Sequence, residues 1–215
     1  MPNFISEDDI YSTITYRPVN PADLSVTGKI GTEDSWRARR ALLLEKCPVY
    51  TDLQELIDGA HANRISLAVF KPSSVIALVW EECERKWDTV KLEAMRGRED
   101  QGELFSDEGW KEAIQQMPKL PYKFFYKFSD SSGKESKLQI LDWEIGQLYW
   151  NCLKSTQDDE QVALEKVRQK YFDEFLKTDL HFFLGTTREY HGWATNPWQI
   201  IGVFPTPLQK QMKLF

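Results

Sequence analysis

The chain has 215 residues, 41% of them hydrophobic, and a formal net charge of −6. That length supports one sizeable core, or a core with a smaller subdomain. The acidic balance excludes a protein that coats nucleic acid non-specifically, a mode that needs surplus Lys and Arg to neutralise phosphates, but it leaves room for a local basic face.

Cys47, Cys83 and Cys152 are odd in number, far apart and without a Cys-x-x-Cys pair. This argues against a disulfide framework or a cysteine zinc site and for a reducing cytoplasm. Residues 1–10 are polar and acidic, without the apolar run of a signal peptide, and no stretch has the length to cross a bilayer. A soluble, intracellular protein is expected.

In chain order, Ser12–Pro18 alternates weakly and holds β-branched residues, predicting a short strand closed by Pro18. Ser35 reads as the N-cap of a helix over Trp36–Lys46, stopped by Pro48 and carrying Arg37, Arg39 and Arg40. Thr51 and Gln54 form a capping-box pattern ahead of Leu53, Leu56, Ile57 and Ala60, predicting a second helix that ends near Gly59. Ile65–Phe70 and Val75–Trp80 read as two strands around a turn at Lys71-Pro72-Ser73-Ser74. From Glu81 to Lys119 the chain is charged and interrupted, a connector with short helices around Asp88–Arg96 and Asp107–Gln116.

The stretch Pro121–Phe204 holds most of the apolar and aromatic side chains. Over Tyr122–Phe128, Tyr122, Phe124, Tyr126 and Phe128 share one strand face, read as core, and Lys123, Phe125 and Lys127 share the other. Asp130-Ser131-Ser132-Gly133 supplies a turn, and Lys137–Leu141 returns as the partner strand, adding Lys137 to the basic face. Asp142 stands as N-cap of a helix reaching Lys154, with Ile145, Leu148, Tyr149 and Cys152 at helical spacing. A further helix over Asp158–Lys177 carries the apolar stripe Leu164, Val167, Tyr171, Phe172 and Phe175. His181–Leu184 and Trp198–Phe204 lack a polar face and are expected to be covered on both sides.

The last five residues, Gln211-Met212-Lys213-Leu214-Phe215, resemble the pentapeptide with which bacterial replication and repair proteins dock on the DNA sliding clamp. The resemblance implies that Gln211 pairs its amide with backbone at a pocket edge while Met212, Leu214 and Phe215 fill an apolar groove. Docking of so short a peptide typically gives a micromolar Kd, about −8 kcal/mol. Gln101-Gly102-Glu103-Leu104-Phe105 repeats the Gln-x-x-Leu-Phe frame, but Gly102 removes an anchor and chance accounts for it.

The blocks Lys119–Phe124, Ile140–Tyr149, Asp179–Thr186 and Ile200–Phe204 are similar to the C-terminal half of a family of uncharacterised bacterial proteins, and the similarity extends upstream through Trp36–Arg40. Some members carry Cys and His where this chain has Ser129–Ser136, a departure that removes the case for a metal there. The resemblance supports the domain reading and implies no activity.

Several residues invite chemical readings. Glu135-Ser136-Lys137 has the Glu-x-Lys spacing of metal-dependent nucleases, but Asp130 is too near in the chain to supply the partner carboxylate, and a solvated turn is the simpler reading. Asp142 and Glu144 at a strand end are explained by helix capping and dipole compensation. Asp179, His181, Arg188 and His191 gather along one strand and its loop, where histidine can handle a proton. Trp143, Trp150, Trp193 and Trp198 have rings able to stack on bases, although in a core-rich block such residues usually belong to the core.

The expectation is an α+β protein with residues 1–118 as a helical and hairpin subdomain plus connector, 119–206 as a core of two hairpins and two intervening helices, and 207–215 as a tail. The preferred function is a non-enzymatic accessory protein in DNA transactions. It docks on the sliding clamp through Gln211, Met212, Leu214 and Phe215 and touches nucleic acid with Lys123, Phe125, Lys127 and Lys137, extended by Arg37, Arg39 and Arg40. The alternatives are a metal-dependent nuclease acting through Asp142, Glu144, His181 or His191, and an interaction subunit of a larger defence or repair complex. No cofactor and no membrane partner is expected.

Overall fold

The computed structural model describes residues 4–8, 14–18, 33–86 and 119–208. The pentapeptide 211–215, the repeat at 101–105 and both connector helices lie outside the described residues. Strands β1 (Phe4–Asp8) and β2 (Ile14–Pro18) pair antiparallel in a small sheet of their own. Only the second was legible in the sequence, since Asp and Glu are depleted in strands and mask the first.

Helix α1 (Glu33–Lys46) begins before Ser35, which therefore does not cap it. After β3 (Val49–Tyr50) comes α2 (Leu53–His61), capped by Asp52, whose carboxylate accepts from the Gln54 N–H at 2.8 Å. The cap is thus Asp52 and not Thr51. The remaining elements are β4 (Leu67–Phe70), β5 (Ser74–Glu82), β6 (Tyr122–Ser129), β7 (Glu135–Ile140), α3 (Trp143–Ser155), α4 (Glu160–Arg168), β8 (Asp179–Thr186) and β9 (Trp198–Thr206). The fold is α+β. Strands β3 to β9 form one seven-stranded mixed sheet in the order β3-β4-β8-β9-β7-β6-β5, with β3/β4 and β7/β9 parallel.

Strands β4 and β5 follow each other in the chain but do not pair: β4 lies against β8, and β5 against β6. A flat sheet sets five strand spacings between them, about 24 Å. The link from Phe70 to Ser74 spans at most about 14 Å. The sheet must therefore curl, and the ring contacts agree. On its concave face Phe70 of β4 meets Phe128 of β6 with centroids 5.5 Å apart, and Tyr126 stacks on Phe182 of β8 at 5.2 Å.

Helices α2, α3 and α4 plug this concave face with Leu53, Leu56, Ile145, Tyr149, Leu164 and Val167, all nearly inaccessible. The expected helix over Asp158–Lys177 is broken into three. Helix α4 passes at Gln169 into a π-helical turn through Glu174 and then a 3-10 turn at Phe175–Lys177. The π turn carries buried Tyr171, whose carbonyl accepts a hydrogen bond from the Tyr126 hydroxyl.

The convex face is covered unevenly. Alternation sends Phe183 and Phe204 outward, where the Trp36 ring of α1 lies 5.8 Å from Phe204. Ile201 on β9 is nevertheless 45% exposed, so the cover expected on both sides of the last strands is incomplete.

Candidate nucleic-acid interface

Tyr126 turns into the core, so Lys123, Phe125 and Lys127 on the alternate positions of β6 point out of the convex face, as does Lys137 on β7. The three lysines are exposed and Phe125 is half-buried. Lys127 and Lys137 are direct cross-strand partners. The Lys137 ammonium lies 4.5 Å from the centre of the Phe125 ring and reaches across it to Glu81 of β5 at 2.6 Å. Lys123 and Lys127 make no ion pair with a described residue, although Glu81, which holds Lys137, stands directly opposite Lys123 on β5.

Two arginines of α1, Arg39 and Arg40, are placed otherwise, and the side chain of Arg37 lies outside what is described. Arg40 pairs with Asp179 at the start of β8 and donates to Thr206 Oγ1 at 3.0 Å, while Lys71 holds the second Asp179 oxygen at 2.8 Å. Arg39 stacks 5.4 Å over the Trp36 ring. Arg40 is therefore committed to closing the β8–β9 end of the sheet.

The residues weighed for catalysis do not converge. Asp142 caps α3 with one oxygen, accepting from the Glu144 N–H at 3.0 Å, and ties the helix to β9 with the other, accepting from the Val203 N–H at 3.1 Å. Glu144 is exposed on the first turn. His181 is buried beside Asp179, its Nδ1 3.2 Å from the Asp179 carbonyl oxygen, and desolvation lowers its pKa. His191 bonds Thr186 Oγ1 at 2.8 Å in the loop after β8, and burial lowers its pKa as well. Asp130 accepts from the N–H groups of Leu53, Ser132 and Lys134 and from the Ser132 hydroxyl, which makes it the hub of its turn; these bonds hold its pKa low against desolvation. Among the described residues no group of three or more His, Cys, Asp or Glu is gathered as metal ligands are.

The feature missed in the sequence is a cleft of about 490 Å³ between α3 and the ends of β6 and β7. Tyr122, Phe124, Ile140 and Ile145 supply its apolar walls, and Lys123, Gln139 and Lys154 its polar groups. Trp143 and Trp150 flank it from α3; Trp143 is 67% exposed, against the expectation that such rings are core. Trp198 does belong to the core, and Trp193 is exposed in the loop before β9. The seven-residue spacing of Trp143 and Trp150, two helical turns, was the available signal.

Residues 49–215 match the family described as "Domain of unknown function (DUF8757)". The chain belongs to the DUF8757 family. The matched region opens at β3, the first strand of the seven-stranded sheet, so the DUF8757 region takes in the entire sheet, the lysine face and the cleft. No curated protein and no solved structure matches the chain. Among the described residues no helix is long and apolar enough to cross a membrane.

Proposed function

We propose that this DUF8757 protein is a non-enzymatic accessory factor in DNA transactions, touching nucleic acid with the lysine face of β6 and β7 and docking on a DNA sliding clamp through Gln211–Phe215. The observation that carries the first part is the alignment of Lys127 opposite Lys137, with Lys123 on the same outward face. Like charges directly opposite on neighbouring strands are destabilising. Their cost is offset when a polyanion lies across them. The clamp part is supported by the pentapeptide itself, which begins three residues beyond Leu208, where the described chain leaves the sheet with an exposed side chain.

Two measurements test the two parts separately. Binding of a fluorescent single-stranded oligonucleotide should weaken with salt, with a slope of about −2 in log K against log salt if three phosphates are neutralised. Absence of salt-dependent binding ends the nucleic-acid part. Retention on immobilised sliding clamp should be lost when residues 211–215 are removed, and unchanged retention ends the clamp part.

A further inference from the structure

We infer that the cleft between α3 and the β6–β7 edge is a subsite for one unstacked base of a single-stranded nucleic acid. This rests on the lysine-face reading above and adds to it the form of nucleic acid bound and the place where a base enters. The cleft volume of about 490 Å³ falls in the range of small-ligand sites. Its chemistry is that of a nucleotide pocket: aromatic and aliphatic walls for a base, with ammonium groups for phosphate.

Three observations point to this occupant. Trp143 exposes 67% of its surface beside the cleft, apolar area that a stacked ligand would remove from water. Base stacking on such a ring is tolerant of sequence. Lys123 and Lys154 line the cleft without an ion pair to a described residue, whereas the carboxylate of Asp142 is spent on two backbone N–H groups. The lining therefore carries two ammonium groups against one carboxylate, a net positive charge complementary to a phosphate. Lys123 also belongs to the lysine face, so a strand leaving the cleft passes to Lys127, roughly 13 Å away along β6.

The third observation is Gly146, in the interior of α3 and lining the cleft. Only Gly133 and Gly192 among the described glycines need a positive φ. A Cβ at Gly146 meets nothing nearer than Leu120 Cδ2 at 3.5 Å, an ordinary contact. Glycine within a helix weakens it relative to alanine. Neither backbone conformation nor crowding calls for glycine here, and what its bare Cα leaves is room in the cleft.

The test compares single-stranded and duplex oligonucleotides of one sequence by fluorescence anisotropy and tryptophan quenching. The wild-type protein, Trp143→Ala and Trp143→Phe are measured. Trp143 is exposed, so both variants should keep the fold, which circular dichroism checks. Expected are preference for the single strand, a quench that is smaller in both variants, with Trp150 left to report, affinity reduced about tenfold in Trp143→Ala, and most of that affinity restored in Trp143→Phe. Equal binding of duplex and single strand, or Trp143→Ala binding like wild type, overturns the base subsite and leaves the lysine face standing. If no oligonucleotide binds the wild-type protein, the lysine-face reading itself fails and the subsite falls with it.

Discussion

Lys127 and Lys137 face each other across β6 and β7, and among the described residues only Lys137 has an acidic partner, Glu81. The pair therefore separates stability from binding. Replacing Lys127 with Glu turns a like-charge pair into an opposite-charge one, worth roughly 0.2–1 kcal/mol on a sheet surface. The Lys127→Glu protein should unfold at slightly higher urea concentration while binding oligonucleotides more weakly. A variant that loses both stability and binding argues that Lys127 is a packing residue.

Gly146 offers a second separation of stability from binding, since the methyl of an alanine also takes room from the cleft. Gly146→Ala should stabilise α3 by roughly 0.5–1 kcal/mol, because alanine loses less backbone entropy on entering a helix and its methyl meets only ordinary contact. Urea unfolding monitored by circular dichroism reads this directly, and a destabilised variant shows that the site is tighter than its contacts indicate.

Asp142 should act as a structural residue. Asp142→Ala removes the acceptor for both the Glu144 and the Val203 N–H groups, at a cost of about 1–3 kcal/mol. Asp142→Asn retains one acceptor oxygen and a good cap, so its loss should be smaller. Were Asp142 a metal ligand, both variants would keep their stability and lose divalent-cation binding in titration calorimetry.

Tyr149 is fully buried, and its hydroxyl has no hydrogen-bond partner among the described residues. Burial also pushes its pKa up to about 12. Tyr149→Phe removes a desolvated polar group without opening a cavity, and it should leave stability unchanged or raise it by up to about 1 kcal/mol. A clear loss in urea unfolding indicates a partner for the hydroxyl.

Acid should destabilise the protein in two windows. Desolvation holds buried His181 below its ordinary value against the opposing pull of Asp179. The unfolded chain then takes up the proton first, so the stability due to neutral His181 is present above about pH 6.5 and lost as pH falls below it. His191 has the same sign. Hydrogen bonds from Arg85 and Tyr122 hold Glu160 down to about 2, so its contribution persists to lower pH and is lost between the ordinary carboxylate range and that value. Urea midpoints measured from pH 8 to 5 should fall less steeply in His181→Gln, and an unchanged slope removes His181 from the account.

What was legible in the sequence follows from period and capping. The alternation Tyr122–Phe124–Tyr126–Phe128 identified β6 and its core face, and Asp142 announced α3 because a carboxylate just ahead of an apolar helical stripe has few other uses. Pairing was not legible. Nothing local to Lys71-Pro72-Ser73 tells whether it closes a hairpin or bridges a curled sheet, since that depends on β8 and β9 lying between β4 and the β6–β7 pair. The two-residue β3 is too short to show a period. The lysine face was visible because strand alternation exposes it. The cleft was not, because it is assembled from residues 120–124, 139–141 and α3, which share no spacing. Trp143 stands off the apolar stripe of Ile145, Tyr149 and Cys152 and seven residues from Trp150, a sign of its exposure that the wealth of aromatic core residues around it obscured.

The order of strands also bears on how the chain is made. Phe70 of β4 pairs with Phe182 of β8, a partner synthesised more than a hundred residues later. At about 5–20 residues per second, translation leaves β4 waiting roughly 5–20 s for it. Meanwhile Phe70, Leu78 and the aromatic face of β6 have no finished interior to enter. Nascent chains of this protein should therefore rely on holding chaperones at the ribosome until the last hairpin emerges.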